Sequence, residues 1–371
     1  MSSSSFPKIV KDNGRAYGWI PDAPDSRDKH YSHLLRQQVS DDDLKEYQQQ
    51  VITKKLSAFV EQDPKDPLPI YDQFQLRSCV SNAVAVALRF AWKQGQANKN
   101  SDKAKATYSS FDPSRLWIYY YSRTKDYNNK RKDFTKYNYG ASIRDSINLV
   151  HKIGVCQEKF HRYPSLEKTS EAVAEVIDGK ETRMRIFPPE LKNPATIEPN
   201  QQAKDDAATF HDLRWFEYYR IVDHTDDNTP SGGVRLNEVQ QMRACIAEGY
   251  PVIFGFNIYS NTPFGDWSQE EYPGVRNPWD KDQFMEFPQQ PGSLVSGHAV
   301  LAVGFDESRK AFLCQNSWGV EDDWKGEKPS KEFVGKFWMP YSWFKATDKT
   351  GPVRDVWMIR PKGAKVGPLR R

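Results

Sequence analysis

The stretch that decides the fold runs from Tyr71 to Trp92 and reads YDQFQLRSCVSNAVAVALRFAW. Its first half is polar and ends at Cys79, whereas its second half is almost wholly apolar. A helix that is apolar on every side belongs in the interior of a protein, so the stretch predicts a buried helix from Cys79 to about Trp92. The positive end of such a helix favours a thiolate at its first residue. A lone cysteine in an apolar run is more often an inert buried thiol, so the choice depends on the rest of the chain.

Two later segments change that choice. The segment SGHAVLAVG places His298 at the head of a strand-like apolar run, and the segment FLCQNSWG carries Asn316 at the end of another. Gln73, six residues before Cys79, adds a side-chain amide that can donate to an oxyanion. In this order the four residues resemble the papain-like (C1) cysteine peptidases, in which a Gln-x5-Cys motif precedes a distant His and then an Asn.

The resemblance implies a role for each residue. Cys79 matches the nucleophile, His298 matches the general base, and Asn316 matches the residue that orients the imidazole. Gln73 and the backbone N–H of Cys79 match the donors that bind the oxyanion. A site of this kind hydrolyses peptide bonds through a covalent thioester intermediate.

The same resemblance suggests where a substrate binds. Tyr139, Gly140 and Ala141 match the wall on which a substrate backbone pairs. Ser142, directly after them, is also a typical helix N-cap, and the two interpretations do not exclude each other. The other residues that we assign to substrate binding are Arg77, Gly297 and Trp318. By resemblance, Trp318 also shields the hydrogen bond of the histidine from water.

The sequence departs from the common pattern of this family near the nucleophile. Val80 follows Cys79 where a tryptophan is usual, and Phe74 and Arg77 replace glycines of the preceding loop. Arg77 would place a cation at the rim of the first specificity pocket, where it favours acidic or small residues or partly blocks the cleft. Leu76 stands where many relatives have a disulfide-forming cysteine, which fits a reducing compartment.

The order of the predicted elements indicates an α+β fold of two subdomains, with helices first and an antiparallel sheet second. By resemblance this is the papain-like fold, with the active-site cleft between a helical left subdomain and a sheet-rich right subdomain. Further helices are predicted over 112–121, 143–152 and 236–247, and an N-terminal one from Ser40 to about Ala58. Strands are predicted over 215–222, 251–259, 299–305, 310–316, 336–340 and 356–359.

The expected domain organisation is an N-terminal extension over residues 1–65, a catalytic domain over 66–362 and a basic tail over 363–371. Within the catalytic domain we expect a helical half over about 66–164, an insertion and crossover over about 165–212, and a sheet half over about 213–362.

Composition excludes several other classes of protein. The 371 residues include 53 basic and 49 acidic ones, and no basic run indicates nucleic-acid binding. No stretch approaches the apolar length of a membrane span, and the first residues, MSSSSFPKIV, lack the apolar core of a signal peptide. Four cysteines without close pairing predict neither a metal site nor a disulfide framework. We therefore expect a monomer without metal or cofactor that is either cytoplasmic or exported by a non-classical route. The resemblance implies that its substrate is a protein or peptide.

The sequence does not decide the role of the N-terminal extension. The segment GWIPDAPDSRD, residues 18–28, is rich in turn residues and is expected to lie on the surface in extended form. It is similar to the opening of a non-secreted branch of the C1 family. The helical signature of the family's inhibitory propeptides is missing, so the extension inhibits, is cleaved or packs structurally. Buried Trp19 and Ile20 would stabilise the fold, and removal of residues 1–35 is expected to lower both stability and activity.

The function that these features favour is that of a thiol endopeptidase. One alternative uses the same thioester for isopeptide cleavage or peptide ligation. Another, from a different class, is an inactive protein that retains the cleft and binds peptides.

Overall fold

The computed structural model of the chain describes seventeen segments, which cover both halves of the molecule. They are residues 17–43, 45–46, 57–59, 68–74, 76–97, 111–125, 133–164, 173–177, 180–184, 194–212, 215–222, 237–260, 284–285, 288, 290–319, 334–344 and 351–366.

The helices gather in the first half of the chain around one central helix. Their bounds are α1 Tyr31–Gln38, α2 Cys79–Ala97, α3 Arg115–Tyr121, α4 Ile143–Ile153, α5 Gln201–Asp212 and α6 Glu238–Ala247. Helix α2 begins at Cys79, as predicted, and Val80, Val84 and Leu88 along it are fully buried. Ser142 caps α4 by accepting a hydrogen bond from the backbone N–H of Asp145, so the predicted cap is confirmed.

An antiparallel sheet forms the second half. The strands are β1 Ser57–Phe59, β2 Val173–Ile177, β3 Lys180–Met184, β4 Phe216–Ile221, β5 Val252–Tyr259, β6 Leu294–Asp306, β7 Ala311–Gln315, β8 Lys336–Pro340 and β9 Val353–Pro361. The main sheet has the order β4-β9-β5-β6-β7-β8, and β1 pairs with the far end of β6. Strands β2 and β3 form a separate hairpin. The predicted α+β class is therefore confirmed.

The prediction that the N-terminal helix extends to Ala58 is wrong at the end of that helix. Residues 41–43 and 45–46 are helical, but residues 57–59 form β1 and pair with residues 304–306 of β6. Residues 304–306 of β6 extend beyond its pairing with β5. Hydrogen bonding to this part of β6 outweighs the weak helix propensity of so short a segment. The part of the prediction over residues 47–56 lies outside the described residues.

One hydrophobic core spans both halves, because α2 packs against β6 and β9. The first turn of α2 is thereby held against the strand that carries His298. Among the described residues, no helix is long and apolar enough to cross a membrane.

Candidate active site

Cys79 opens α2 and is fully buried. Burial raises the pKa of its thiol to about 11, and hydrogen bonds from the backbone of Ala299, Gly18 and Val80 only partly offset this. In this conformation the loss of water at the sulfur therefore opposes the predicted thiolate. Since Ala299 directly follows His298, the sulfur lies beside the strand that carries the imidazole.

His298 and Asn316 form the second part of the site. The Nε2 atom of His298 lies 2.7 Å from Oδ1 of Asn316. The same oxygen accepts the backbone N–H of Ser317 at 2.8 Å, so it is an acceptor, and Nε2 of His298 is the donor. This tautomer leaves Nδ1 as the basic nitrogen of the neutral ring.

Three aromatic rings surround the imidazole. The ring centroid of Trp318 lies 5.1 Å from that of His298, at an interplanar angle of 31°. Tyr17 and Phe256 approach edge-on, with centroids at 5.7 Å and 5.8 Å. Trp318 is itself buried, so apolar surface separates the bond between His298 and Asn316 from water.

Gln73 is tied to the loop that carries Asn316. Its backbone N–H donates to the carbonyl of Ser317 at 2.8 Å, and its Oε1 accepts the hydroxyl of the same residue at 2.6 Å. Its Nε2 donates to the carbonyl of Leu76 at 2.9 Å.

A buried network that sequence reasoning missed supports the loop between Gln73 and Cys79. The hydroxyl of Tyr163 donates to the carbonyl of Gln73 at 2.9 Å and lies 2.6 Å from Oγ of Ser78. Because the single hydroxyl proton of Tyr163 is donated to Gln73, the Ser78 hydroxyl donates to Tyr163. Ser78 Oγ also accepts from Nδ2 of Asn82 at 3.1 Å. No sequence signal marks Tyr163, because a single tyrosine in a Tyr-Pro pair has no distinctive pattern.

The predicted substrate wall lies on the helical side of the cleft. The carbonyl of Tyr139 accepts the hydroxyl of Tyr119 at 2.9 Å, and the ring of Tyr139 stacks on Phe134 with centroids 4.3 Å apart. Gly140 and Ala141 continue this wall towards the cap of α4. Arg77 stands at its rim and is half-buried.

An N-terminal segment, residues 17–28, which we call the strap, occupies the cleft between the two halves. The carbonyl of Gly18 accepts the N–H of Ala141 at 2.8 Å, and the N–H of Ile20 donates to the carbonyl of Ala141 at 3.0 Å. On the opposite side, the N–H of Trp19 donates to the carbonyl of Gly297 at 3.1 Å. Trp19 is 5% exposed, so the expectation that this segment lies on the outer surface is wrong at its first residues.

Arg77 also contacts the strap. Its Nη1 atom lies 3.4 Å from the carbonyl of Tyr17, and its own carbonyl lies against Gly18, where an added Cβ would come within 1.9 Å of it. The predicted rim residue therefore faces a peptide backbone in this conformation.

Buried charges anchor the later part of the strap. Asp28 pairs with Arg220 at 2.8 Å, and it accepts from Nε of Arg144 at 2.8 Å. Asp355 on β9 accepts the N–H of Asp22 at 2.7 Å on Oδ2 and Nη2 of Arg220 at 3.2 Å on Oδ1. Burial raises the pKa of Asp355 to about 7, yet both of its oxygens accept hydrogen bonds, which is the geometry of a carboxylate.

The described residues contain neither a disulfide bond nor a metal site. All four cysteines are buried and free. Within the described ranges, no group of three or more His, Cys, Asp or Glu side chains is arranged to hold a metal ion.

No family model matches the chain. An uncharacterized peptidase C1-like protein of Acanthamoeba polyphaga mimivirus is 29% identical over 289 residues, which cover 78% of this chain and 68% of that protein. The fold aligns with xylellain, a cysteine protease from Xylella fastidiosa, at a TM-score of 0.58 and 26% identity, over 95% of this chain and 98% of that one. Both similarities extend over most of the chain.

Proposed function

We propose that this protein, a member of the papain-like cysteine peptidase family, hydrolyses internal peptide bonds with Cys79 as nucleophile and His298 as base. The observation that carries the proposal is the bond from His298 to Asn316, beside the helix that begins at Cys79. A cysteine at a helix start and an imidazole of fixed tautomer are the two groups that thiol catalysis needs.

The chemistry follows from the proton positions. With Nε2 of His298 donating to Asn316, Nδ1 accepts the thiol proton of Cys79 and later protonates the leaving amine. Such general acid–base transfer contributes about 10²–10⁴-fold. Asn316 acts by holding the ring in the tautomer that this exchange requires.

Two groups would donate to the tetrahedral oxyanion. One is the side-chain amide of Gln73, which in the described conformation bonds to the carbonyl of Leu76. The other is the backbone N–H of Cys79 at the start of α2. In a related setting one such donor contributes about 3 kcal/mol to transition-state stabilisation.

The conformation of the folded chain is a latent one. Burial raises the pKa of the Cys79 thiol to about 11, so the protonated form is favoured at neutral pH. The backbone of Gly18 faces the sulfur with its N–H, whereas its carbonyl bonds to Ala141. The strap therefore lies where a substrate would bind, and it must leave the cleft before a substrate can enter.

The test uses a full-length chain with the substitution Trp19→Ala, which loosens the strap. A second substitution in that chain, Cys79→Ala, removes the sulfur of the proposed nucleophile. We expect the Trp19→Ala chain to hydrolyse unfolded casein and the added change Cys79→Ala to abolish hydrolysis. The matched control is Cys156→Ala, which removes another fully buried thiol outside the cleft. Hydrolysis that survives Cys79→Ala would overturn the proposal.

The buried thiol also favours a second candidate, an inactive protein that binds peptides in the same cleft. An epoxide electrophile selective for papain-like thiolates separates the two candidates. Labelling of Cys79 in the Trp19→Ala chain supports an enzyme, whereas absence of labelling supports a binding protein. An isopeptidase or ligase would be labelled in the same way but would prefer an amine or isopeptide substrate.

A further inference from the structure

The side chain of Trp19 fills a pocket in the sheet wall of the cleft. Its indole Nε1 donates to Oδ2 of Asp355 at 3.1 Å. A Cβ added at Gly255 would lie 2.0 Å from the indole ring, and one added at Gly297 would lie 2.5 Å from it. Two glycines on neighbouring strands therefore make space for a large flat ring, and a carboxylate on a third strand receives its N–H.

We propose that this pocket selects the substrate of the open enzyme and takes a large aromatic side chain that carries a hydrogen-bond donor, tryptophan before tyrosine. The inference rests on the proposed function, since a released strap leaves the pocket facing the substrate. The pocket belongs to the substrate path because Gly297 directly precedes His298. The Gly297 carbonyl also accepts a backbone N–H of whatever chain lies there, as it does from Trp19 at 3.1 Å.

Release of the strap leaves the Asp355 carboxylate in need of a donor. Its Oδ2 atom accepts from Trp19 and from the N–H of Asp22, and both of these donors belong to the strap. A site with a buried acceptor discriminates against a side chain that lacks the matching donor, because the acceptor is left unsatisfied. Phenylalanine and leucine fill the space but leave this acceptor unpaired.

The charges around the pocket disfavour a cationic side chain. Nη2 of Arg220 already bonds to the other oxygen of Asp355 at 3.2 Å. The guanidinium of Arg354 lies 5.5 Å from the centre of the Trp19 ring, a position that attracts an aromatic face and repels a lysine or arginine. An aromatic ring with a neutral donor satisfies both the carboxylate and the cation.

The test uses the full-length Trp19→Ala chain, in which the indole is absent and the rest of the pocket is retained. Peptides of one sequence carry Trp, Tyr, Phe, Leu or Arg at a single position, which is moved along the peptide. We measure kcat/KM and, independently of turnover, the concentration at which each peptide protects Cys79 from epoxide labelling. Trp should exceed Phe by about tenfold in both readouts at one position of the peptide.

A second variant, Asp355→Asn, tests whether Asp355 is the residue that causes the selectivity. This residue has a φ of 55°, a conformation that asparagine also tolerates, so Asp355→Asn preserves the backbone. The ratio of Trp to Phe should then fall towards one. Asp306→Asn is the matched control, since this aspartate accepts hydrogen bonds in the turn after β6, away from the cleft.

The outcomes separate the two proposals. Equal hydrolysis and equal protection by Trp and Phe peptides, or a preference for Arg, would overturn the inference and leave the peptidase intact. Absence of both hydrolysis and labelling at Cys79 would instead overturn the proposed function. A Trp preference that survives Asp355→Asn would remove the carboxylate from the explanation and overturn the inference, which depends on that acceptor.

Discussion

The two walls of the cleft hold the strap in different ways. Beside Trp19 the helical wall uses backbone groups, as Ala141 exchanges two hydrogen bonds with the main chain of Gly18 and Ile20. The sheet wall adds a side-chain pocket, in which Trp19 is enclosed and bonded to Asp355. One wall therefore accepts any peptide backbone, whereas the other distinguishes between side chains.

This difference assigns separate tasks to the two halves of the fold. Backbone pairing fixes the direction and depth of a bound chain whatever its sequence. The pocket then decides which sequence stays long enough to react. The strap satisfies both walls at once, and so it competes with substrate along the whole cleft.

The largest effect is expected on stability, when the buried ion pairs that anchor the strap at Asp28 are removed. Asp28→Asn removes the shared partner of Arg144 and Arg220, whose side chains are 2% and 19% exposed. Removing one partner of a buried ion pair costs about 3–5 kcal/mol, so the free energy of unfolding should fall by this order. Chemical denaturation of the two full-length chains measures it.

The control for that variant is Asp25→Asn in the same strap. Asp25 pairs with Arg27, whose side chain is 85% exposed, and exposed pairs contribute little to stability. A loss as large as that of Asp28→Asn would show that the strap is sensitive to any change of charge.

The next effect tests the helical wall with a single methyl group. A Cβ at Gly140 would lie 2.3 Å from the carbonyl oxygen of Gly18, and its nearest neighbours all belong to the strap. In the Trp19→Ala chain, Gly140→Ala should push any bound backbone away and reduce kcat/KM by about 100-fold for every peptide. A reduction confined to some peptide sequences would contradict the assignment of this wall to the backbone.

The smallest effect tests the sheet wall with the same methyl group. Gly255→Ala narrows the Trp19 pocket, so in the Trp19→Ala chain it should lower kcat/KM about tenfold for Trp peptides and little for Ala peptides. Gly95→Ala in α2 is the control, because its Cβ would meet Pro361 at an ordinary 3.4 Å. Equal losses for Trp and Ala peptides would remove the distinction between the two walls.

Removal of the whole strap combines these effects. Residues 1–35 contribute Asp22 and Asp28, so their deletion should lower the thermal midpoint, as the sequence indicated. The sequence alone led us to expect lower activity, but the strap occupies the cleft in the structure. We therefore expect the deletion to raise the activity of each folded molecule, because substrate can then enter the cleft. An equally stable chain would show that the buried charges around Asp28 contribute nothing.

The central helix and the sheet could be predicted because long apolar runs leave few alternatives. Helix α2 begins at Cys79 and runs to Ala97, past the predicted end at Trp92. The position of the strap could not be predicted, since a turn-rich segment carries no periodicity that indicates its partners. Gly255 and Asp355, which receive Trp19, are distant from it in sequence and have no local signal of their own.

The protonation state of Cys79 shows a second limit of sequence reasoning. The start of a helix favours a thiolate, and this much can be derived from sequence. Tertiary structure decides whether water reaches the sulfur, and it also brings the backbone N–H groups of Gly18 and Ala299 to it. In the described conformation the sulfur is fully buried, and burial favours the thiol form despite these hydrogen bonds.

The most direct measurement is the pH dependence of iodoacetamide alkylation at Cys79, followed by mass spectrometry of the peptides. In the full chain we expect little alkylation at about pH 7 and a rate that rises towards a pKa of about 11. In the Trp19→Ala chain Cys79 should react readily at about pH 7, while Cys156, Cys245 and Cys314 stay unmodified as internal controls. A Trp19→Ala chain in which Cys79 is as unreactive as these three would contradict a nucleophile held latent by the strap.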